Sequence, residues 1–130
     1  MSKPFLIDTH VLIWYHQGDP RLSMKIVAIL DHPHSICYLS KASLWEMVIK
    51  SSLGKLQLGV SLPELEDFLT ERNIRPLDFN FTDLNVLHSL PYHHHDPFDR
   101  LIIAQALAND LPVISDDAKF GLYPVDLIAP

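Results

Sequence analysis

Apolar residues fall in short blocks along this chain, and the spacing inside each block limits what it can become. Residues 4–8, PFLID, form a brief apolar run ending in an acid, the pattern of a buried strand. Residues 21–31, RLSMKIVAILD, carry apolar side chains at 22, 26, 27, 29 and 30, which is one stripe of a helix. Residues 35–39, SICYL, read as a second strand. Ser40 stands where an N-cap belongs and predicts a helix to about Ser52, with Gly54 just past its end. Ser61-Leu62-Pro63-Glu64 has the spacing of a capping box and predicts a helix to about Asn73. A short strand interrupted by Pro76 follows at 74–77. Thr82 is the expected cap of a helix that stops at Pro91, and Asp96-Pro97 opens the clearest helical segment, FDRLIIAQALAND. Strands at 111–115 and 125–128 complete the pattern.

Strands therefore alternate with helices from end to end, which predicts an α/β fold with a mostly parallel central sheet and helices on both faces. The 130 residues correspond to one domain, 1–130, large enough to fold without a disulfide or structural metal. Cys37 is the only cysteine, so an internal disulfide is impossible and a reducing, cytoplasmic setting is the expectation. The opening MSKPFLIDTHVLIW lacks the apolar core and cleavage site of a signal peptide. No segment approaches the roughly 20 apolar residues of a membrane span, so no membrane partner is expected. A net charge of −6 argues against a surface that attracts nucleic acid everywhere. It leaves room for a nuclease with a local basic rim, because acids that hold a cation still count in the formal charge.

Open parallel sheets place ligands beyond the carboxyl ends of their strands. Asp8 follows the first strand, and Asp116 and Asp117 follow the strand PVIS. Asp96 and Asp99 open the helix before that strand, and Glu46 lies on the helix after the second. All can converge on one rim. Clustered carboxylates repel one another unless some protonate or a cation neutralises them. Magnesium and manganese prefer such oxygen ligands, and an ion held there can activate water and offset charge on a phosphodiester. Each acid also has a structural reading. Asp96 before Pro97 suits an N-cap, Asp99 suits the helix dipole, Glu46 suits a solvated helix face, and Asp116 with Asp117 suits an Asx turn. Asp8 interrupts an apolar stretch, where a charge is costly unless paired or bound to a metal. The basic candidates for phosphate contact are Lys41, Lys50, Lys55 and Arg100. Of the eight histidines, the run His93-His94-His95 reads as a solvated loop, since three adjacent imidazoles cannot share one ion on a regular backbone. His10 reads as a satisfied, half-buried histidine, and Trp14, Trp45 and Phe98 read as core.

Four stretches, LIDTHVLIW, SLWEMVIKSSLGKL, HHHDPFDRLIIAQALANDLPVIS and DDAKF, span nearly the whole chain. On them the sequence resembles the PIN-domain ribonucleases, and within these the VapC-like toxins of type II toxin–antitoxin modules. The resemblance implies a three-layer α/β/α sandwich and cleavage of RNA that depends on Mg2+ or Mn2+. It implies that Asp8, Glu46 and Asp99 are the first three acids of the metal-holding, catalytic set. The family's Thr-x-Asp pattern implies Asp117 as the fourth, with Ser115 in the threonine position. Asp116 occupies the variable position, and its own acid keeps the choice between the two open. Asp96 belongs to the DPFDR motif as a supporting or capping residue, and Thr9 and Ser43 match positions of small hydroxyl residues near the acids. The resemblance further implies a homodimer and a small cognate antitoxin reaching the acidic groove. Trp14, Tyr15 and the helix around Met24 to Leu30 suit either such contacts or the core. Two other readings compete. A haloacid-dehalogenase-type phosphatase would use Asp8 as a nucleophile with a second aspartate two residues later, where this chain has His10. A non-catalytic PIN-like scaffold would have no need of the four acids, all of which are present.

Overall fold

The computed structural model describes residues 4–130. Among them, five strands form one sheet in the order β3-β2-β1-β4-β5, with every neighbouring pair parallel. They are β1 (Phe5–Ile7), β2 (Cys37–Ser40), β3 (Ile74–Leu77), β4 (Val113–Ile114) and β5 (Leu127–Ile128). Six α-helices connect them: α1 (Thr9–Gln17), α2 (Met24–Asp31), α3 (Lys41–Ser52), α4 (Leu62–Glu71), α5 (Phe81–Ser89) and α6 (Pro97–Ala108). A 3-10 helix covers Ala118–Leu122.

The period-two alternation of a strand sends neighbouring side chains to opposite faces. Here it divides the apolar residues into two cores. Phe5, Ile7, Cys37, Leu39, Ile74 and Ile114 face one side, where residues of α1 to α4 cover them. Leu6, Val113 and the partly buried Tyr38 and Leu77 face the other, against Ile102, Ile103 and Ala106 of α6 and Phe120 of the 3-10 helix. Helices on both faces of a parallel sheet make the three-layer α/β/α sandwich of the sequence expectation.

Local chemistry set three of the six helix starts as expected. Ser40, Ser61 and Asp96 accept backbone amides at the starts of α3, α4 and α6, and Ser61 with Glu64 completes the capping box. Three starts differ. The sequence reading had no helix at 9–17, yet α1 begins directly after β1, with Asp8 as its cap. Val11, Leu12, Trp14 and Tyr15 are buried, and the exposed side holds only His10, His16 and Gln17 beside Ile13, so the polar stripe is thin. Helix α2 starts at Met24 rather than near residue 21, capped by Ser23. Helix α5 is capped by Asn80 instead of Thr82, because Asn80 and Asp83 form a reciprocal capping box. Gly18 ends α1 at φ 65°, a left-handed conformation that glycine adopts without penalty.

Candidate metal centre

The strand ends and helix starts share one rim of the sheet, and the acids gather there. Asp8 stands at the junction of β1 and α1. Its Oδ1 accepts the Val11 amide at 2.9 Å, and its Oδ2 accepts the Ser115 hydroxyl from the end of β4. Burial pushes the Asp8 carboxyl above its ordinary pKa, and those two hydrogen bonds work against that shift. The same Ser115 oxygen accepts the Asp117 amide at 3.0 Å, so one hydroxyl couples the first and fourth acid positions.

Glu46 is buried on α3. Its Oε1 accepts the Thr9 hydroxyl at 2.7 Å, and Thr9 in turn lies 2.8 Å from Ser43 Oγ. Thr9, Ser43 and Glu46 thus form a hydroxyl–hydroxyl–carboxylate chain between α1 and α3. Lys50, one helical turn beyond Glu46, meets Oε2 at 2.6 Å. The Lys50 side chain is 40% exposed, so its ammonium reaches from the acid to solvent. The Glu46 carboxylate raises the Lys50 pKa by favouring its charged form.

Asp99 lies in the first turn of α6, behind its cap Asp96, whose Oδ1 accepts the Asp99 amide at 2.9 Å. The Asp99 carboxyl is pushed up to about 7. Burial is the main cause, followed by the negative charges of Asp96 and Glu46, with a smaller push from Asp8. The acid fields therefore overlap at Asp99. An open cleft of about 280 Å³ lies over the group, lined by Asp8, His10, Trp14, Asp99, Asp116 and Asp117. Of the two candidates for the fourth acid, Asp117 is joined to the cluster through His94 and Ser115, whereas Asp116 is exposed at the cleft wall.

Several residues sit differently from the sequence reading. His94 is not part of a solvated loop. It is 6% exposed, and its Nε2 lies 2.8 Å from Asp117 Oδ2 and 3.1 Å from Asp99 Oδ2. Nothing in a run of three histidines marks the middle one, so tertiary packing alone singles it out. Arg100, a candidate phosphate contact, is buried rather than presented at the surface. Its guanidinium is buried over the Tyr92 ring and donates to the carbonyls of Leu87, Leu90, Pro91 and His94. Trp45 is not core either. It is 63% exposed and meets the half-buried Phe98 ring edge-on at 5.3 Å, whereas Trp14 is buried as expected. His10 is exposed rather than half-buried, at the cleft wall. Tyr15 and Trp14 belong to the core and offer little surface to a partner, while Met24 is exposed. Lys41 is exposed and 3.3 Å from exposed Asp78, and Lys55 is exposed.

The sequence matches the PIN domain family over residues 5–125. The chain belongs to this family. PIN domains are nucleases, and the buried acidic cluster of this one lies at the carboxyl rim of its sheet. No curated protein matches the sequence. Among solved structures, this PIN domain is similar to a chain of VapBC2 from Rickettsia felis, bound to a DNA fragment from its promoter. That match has a TM-score of 0.75 and 18% identity and covers 98% of each chain. It is also similar to a chain of a toxin–antitoxin complex from Klebsiella pneumoniae, with a TM-score of 0.63 and 17% identity over 95% of each chain. At these identities the likeness concerns the fold.

Proposed function

We propose that this PIN domain is a metal-dependent endoribonuclease, the toxin of a type II toxin–antitoxin module. The observation that carries the reading is the convergence of acids from separate elements on one cleft, the buried Asp8 beside the part-exposed Asp99 and Asp117, with the buried Glu46 close behind. It is registered at Asp99, whose carboxyl feels Asp96, Glu46 and Asp8 together. A cluster of carboxylate oxygens short of positive charge fits a hard divalent cation, Mg2+ or Mn2+. Asp8, Glu46, Asp99 and Asp117 are the residues that would hold it. Bound there, the ion would supply an acidified water and neutralise charge developing on the phosphodiester.

The protein's own groups prepare that site. The Val11 amide and Ser115 hold both oxygens of Asp8 in place, and Thr9 fixes Glu46. Asp96 secures the start of the helix that carries Asp99. Lys50 reaches solvent from beside Glu46 and is placed to meet an RNA phosphate. Lys41 is held only by an exposed ion pair, worth about 0–1 kcal/mol, and can exchange Asp78 for phosphate. The solved neighbours are toxin–antitoxin complexes, which supports a cognate antitoxin as a partner. The phosphatase alternative finds no support beside a family match over residues 5–125.

The test is cleavage of total cellular RNA by antitoxin-free protein with Mg2+, Mn2+ or chelator, beside Asp8→Asn and Asp99→Asn. Cuts that need the ion and vanish in both variants are expected. Equal cutting in chelator, or by both variants, would overturn the assignment. Ion binding without cleavage of any RNA would favour the non-catalytic scaffold.

A further inference from the structure

His94 is held at almost every polar atom. Its backbone N–H donates to Tyr123 Oη at 2.8 Å, and that hydroxyl donates to the Pro91 carbonyl at 2.6 Å. Its carbonyl accepts from Arg100 Nη1 at 3.2 Å. Its ring lies edge-on to Phe120, with centroids 6.1 Å apart. The ring atom Nδ1 accepts the Asp96 backbone amide at 3.2 Å. A ring nitrogen that accepts an N–H carries no proton of its own, so the imidazole proton sits on Nε2. That Nε2–H donates to Asp117 Oδ2 at 2.8 Å, and Asp99 Oδ2 lies 3.1 Å from the same nitrogen.

These three side chains bring one nitrogen and two oxygens within 4.8 Å of one another, a spacing that also suits a metal with an imidazole ligand. The tautomer decides against that use. Coordination through Nε2 requires a bare Nε2 and hence a proton on Nδ1. That proton would meet the Asp96 N–H donor to donor.

We infer that His94 is a positioning residue rather than a ligand: its Nε2–H holds the Asp99 and Asp117 carboxylates together, at the spacing from which they bind a divalent ion. The inference rests on the metal reading above. It assigns a purpose to the buried Arg100 and Tyr123, which lock the segment that carries the ring. It also makes the ion's protein environment all oxygen, the environment that suits Mg2+ and Mn2+ rather than ions that seek nitrogen. Groups that orient ligands from behind in this way typically change metal affinity by about 10–100-fold when removed.

Two measurements test the role. The first is long-range 1H–15N NMR of the histidine rings, with and without Mg2+, the His94 signals being those lost in His94→Gln. The proton is expected on Nε2 in both states. A bare Nε2 in the Mg2+-loaded protein would make His94 a ligand and overturn the inference. The second is calorimetric titration with Mg2+. His94→Gln, whose amide N–H reaches toward the same oxygens, should bind within about threefold of wild type, and His94→Leu should bind about tenfold or more weakly. Equal affinity of wild type and His94→Leu would also overturn it. If His94→Leu fails to fold, the NMR result decides. A wild-type protein that binds neither Mg2+ nor Mn2+ would instead sink the metal reading, and this role with it.

Discussion

Asp99 and Arg100 are neighbours in sequence with opposite tasks. The Asp99 carboxyl titrates near 7 when folded, against 3.8 for the ordinary side chain. Between those values the folded state holds a proton that the unfolded chain has lost, so metal-free stability falls as pH rises from about 4 to 7. Burial raises the Asp8 carboxyl in the same direction. Thermal melts of metal-free protein should therefore show lower stability at pH 8 than at pH 5.5, and Asp99→Asn should shrink that difference. An undiminished difference would place the titration elsewhere. Arg100 serves four carbonyls from a buried position; Arg100→Met takes the donor from those of Leu90 and His94, while Leu87 keeps the Leu90 amide and Pro91 keeps Tyr123. Each unsatisfied buried group costs about 1–3 kcal/mol, and the melting temperature should fall accordingly. The fraction that stays folded should also bind Mg2+ more weakly, because the segment that carries His94 loses its anchor, which a calorimetric titration would check.

At the scale of elements, strand-to-helix junctions make the site. The chain passes from β1 into α1 through Asp8, and from β2 into α3 through Ser40, with no loop between. Asp8 is both a cap and an acid of the cluster, and Asp96 caps the helix that carries Asp99. These two tasks of Asp96 can be separated. Asp96→Asn keeps a good cap and removes the charge, so it should leave stability nearly unchanged and bring the Asp99 midpoint down from about 7. Asp96→Ala removes both and should cost about 1 kcal/mol. Carboxyl 13C NMR against pH reads the first effect and denaturant melts read the second. Gln105 ties α6 to the sheet: Oε1 accepts from Ser40 at 2.5 Å, and Nε2 lies 3.2 Å from the carbonyls of Leu77 and Asp78. The starts of α3, α4 and α6 are readable from the sequence, because a cap acts within three or four residues. Helix α1 is not, because its exposed side carries only His10, His16 and Gln17 beside the apolar Ile13, too thin a polar stripe to mark a helix.

For the whole molecule, the acid cluster sets a tension that an ion relieves. If Asp8, Glu46, Asp99 and Asp117 hold Mg2+, saturating ion at a hundred times its dissociation constant should stabilise the protein by about 2.7 kcal/mol, most visibly at pH 8 where the acids are ionised. Asp8→Asn with Asp99→Asn should remove that gain, and a gain that survives would place the ion at another site. The strand–helix alternation, the acids and their order along the chain were legible in the sequence by itself, because they depend on side-chain period and on neighbours a few residues apart. The division of apolar residues between two cores also follows from the period of two once the strands are placed. What only the tertiary structure decided were relations between distant segments. Ser115 bonds to Asp8 across 107 positions, and His94 meets Asp117 across 23. Arg100 was turned inward and Trp45 outward by neighbours that no local pattern names. A basic residue or an aromatic ring carries no mark of its partner in its own sequence window, since burial is a property of what the rest of the chain packs against it.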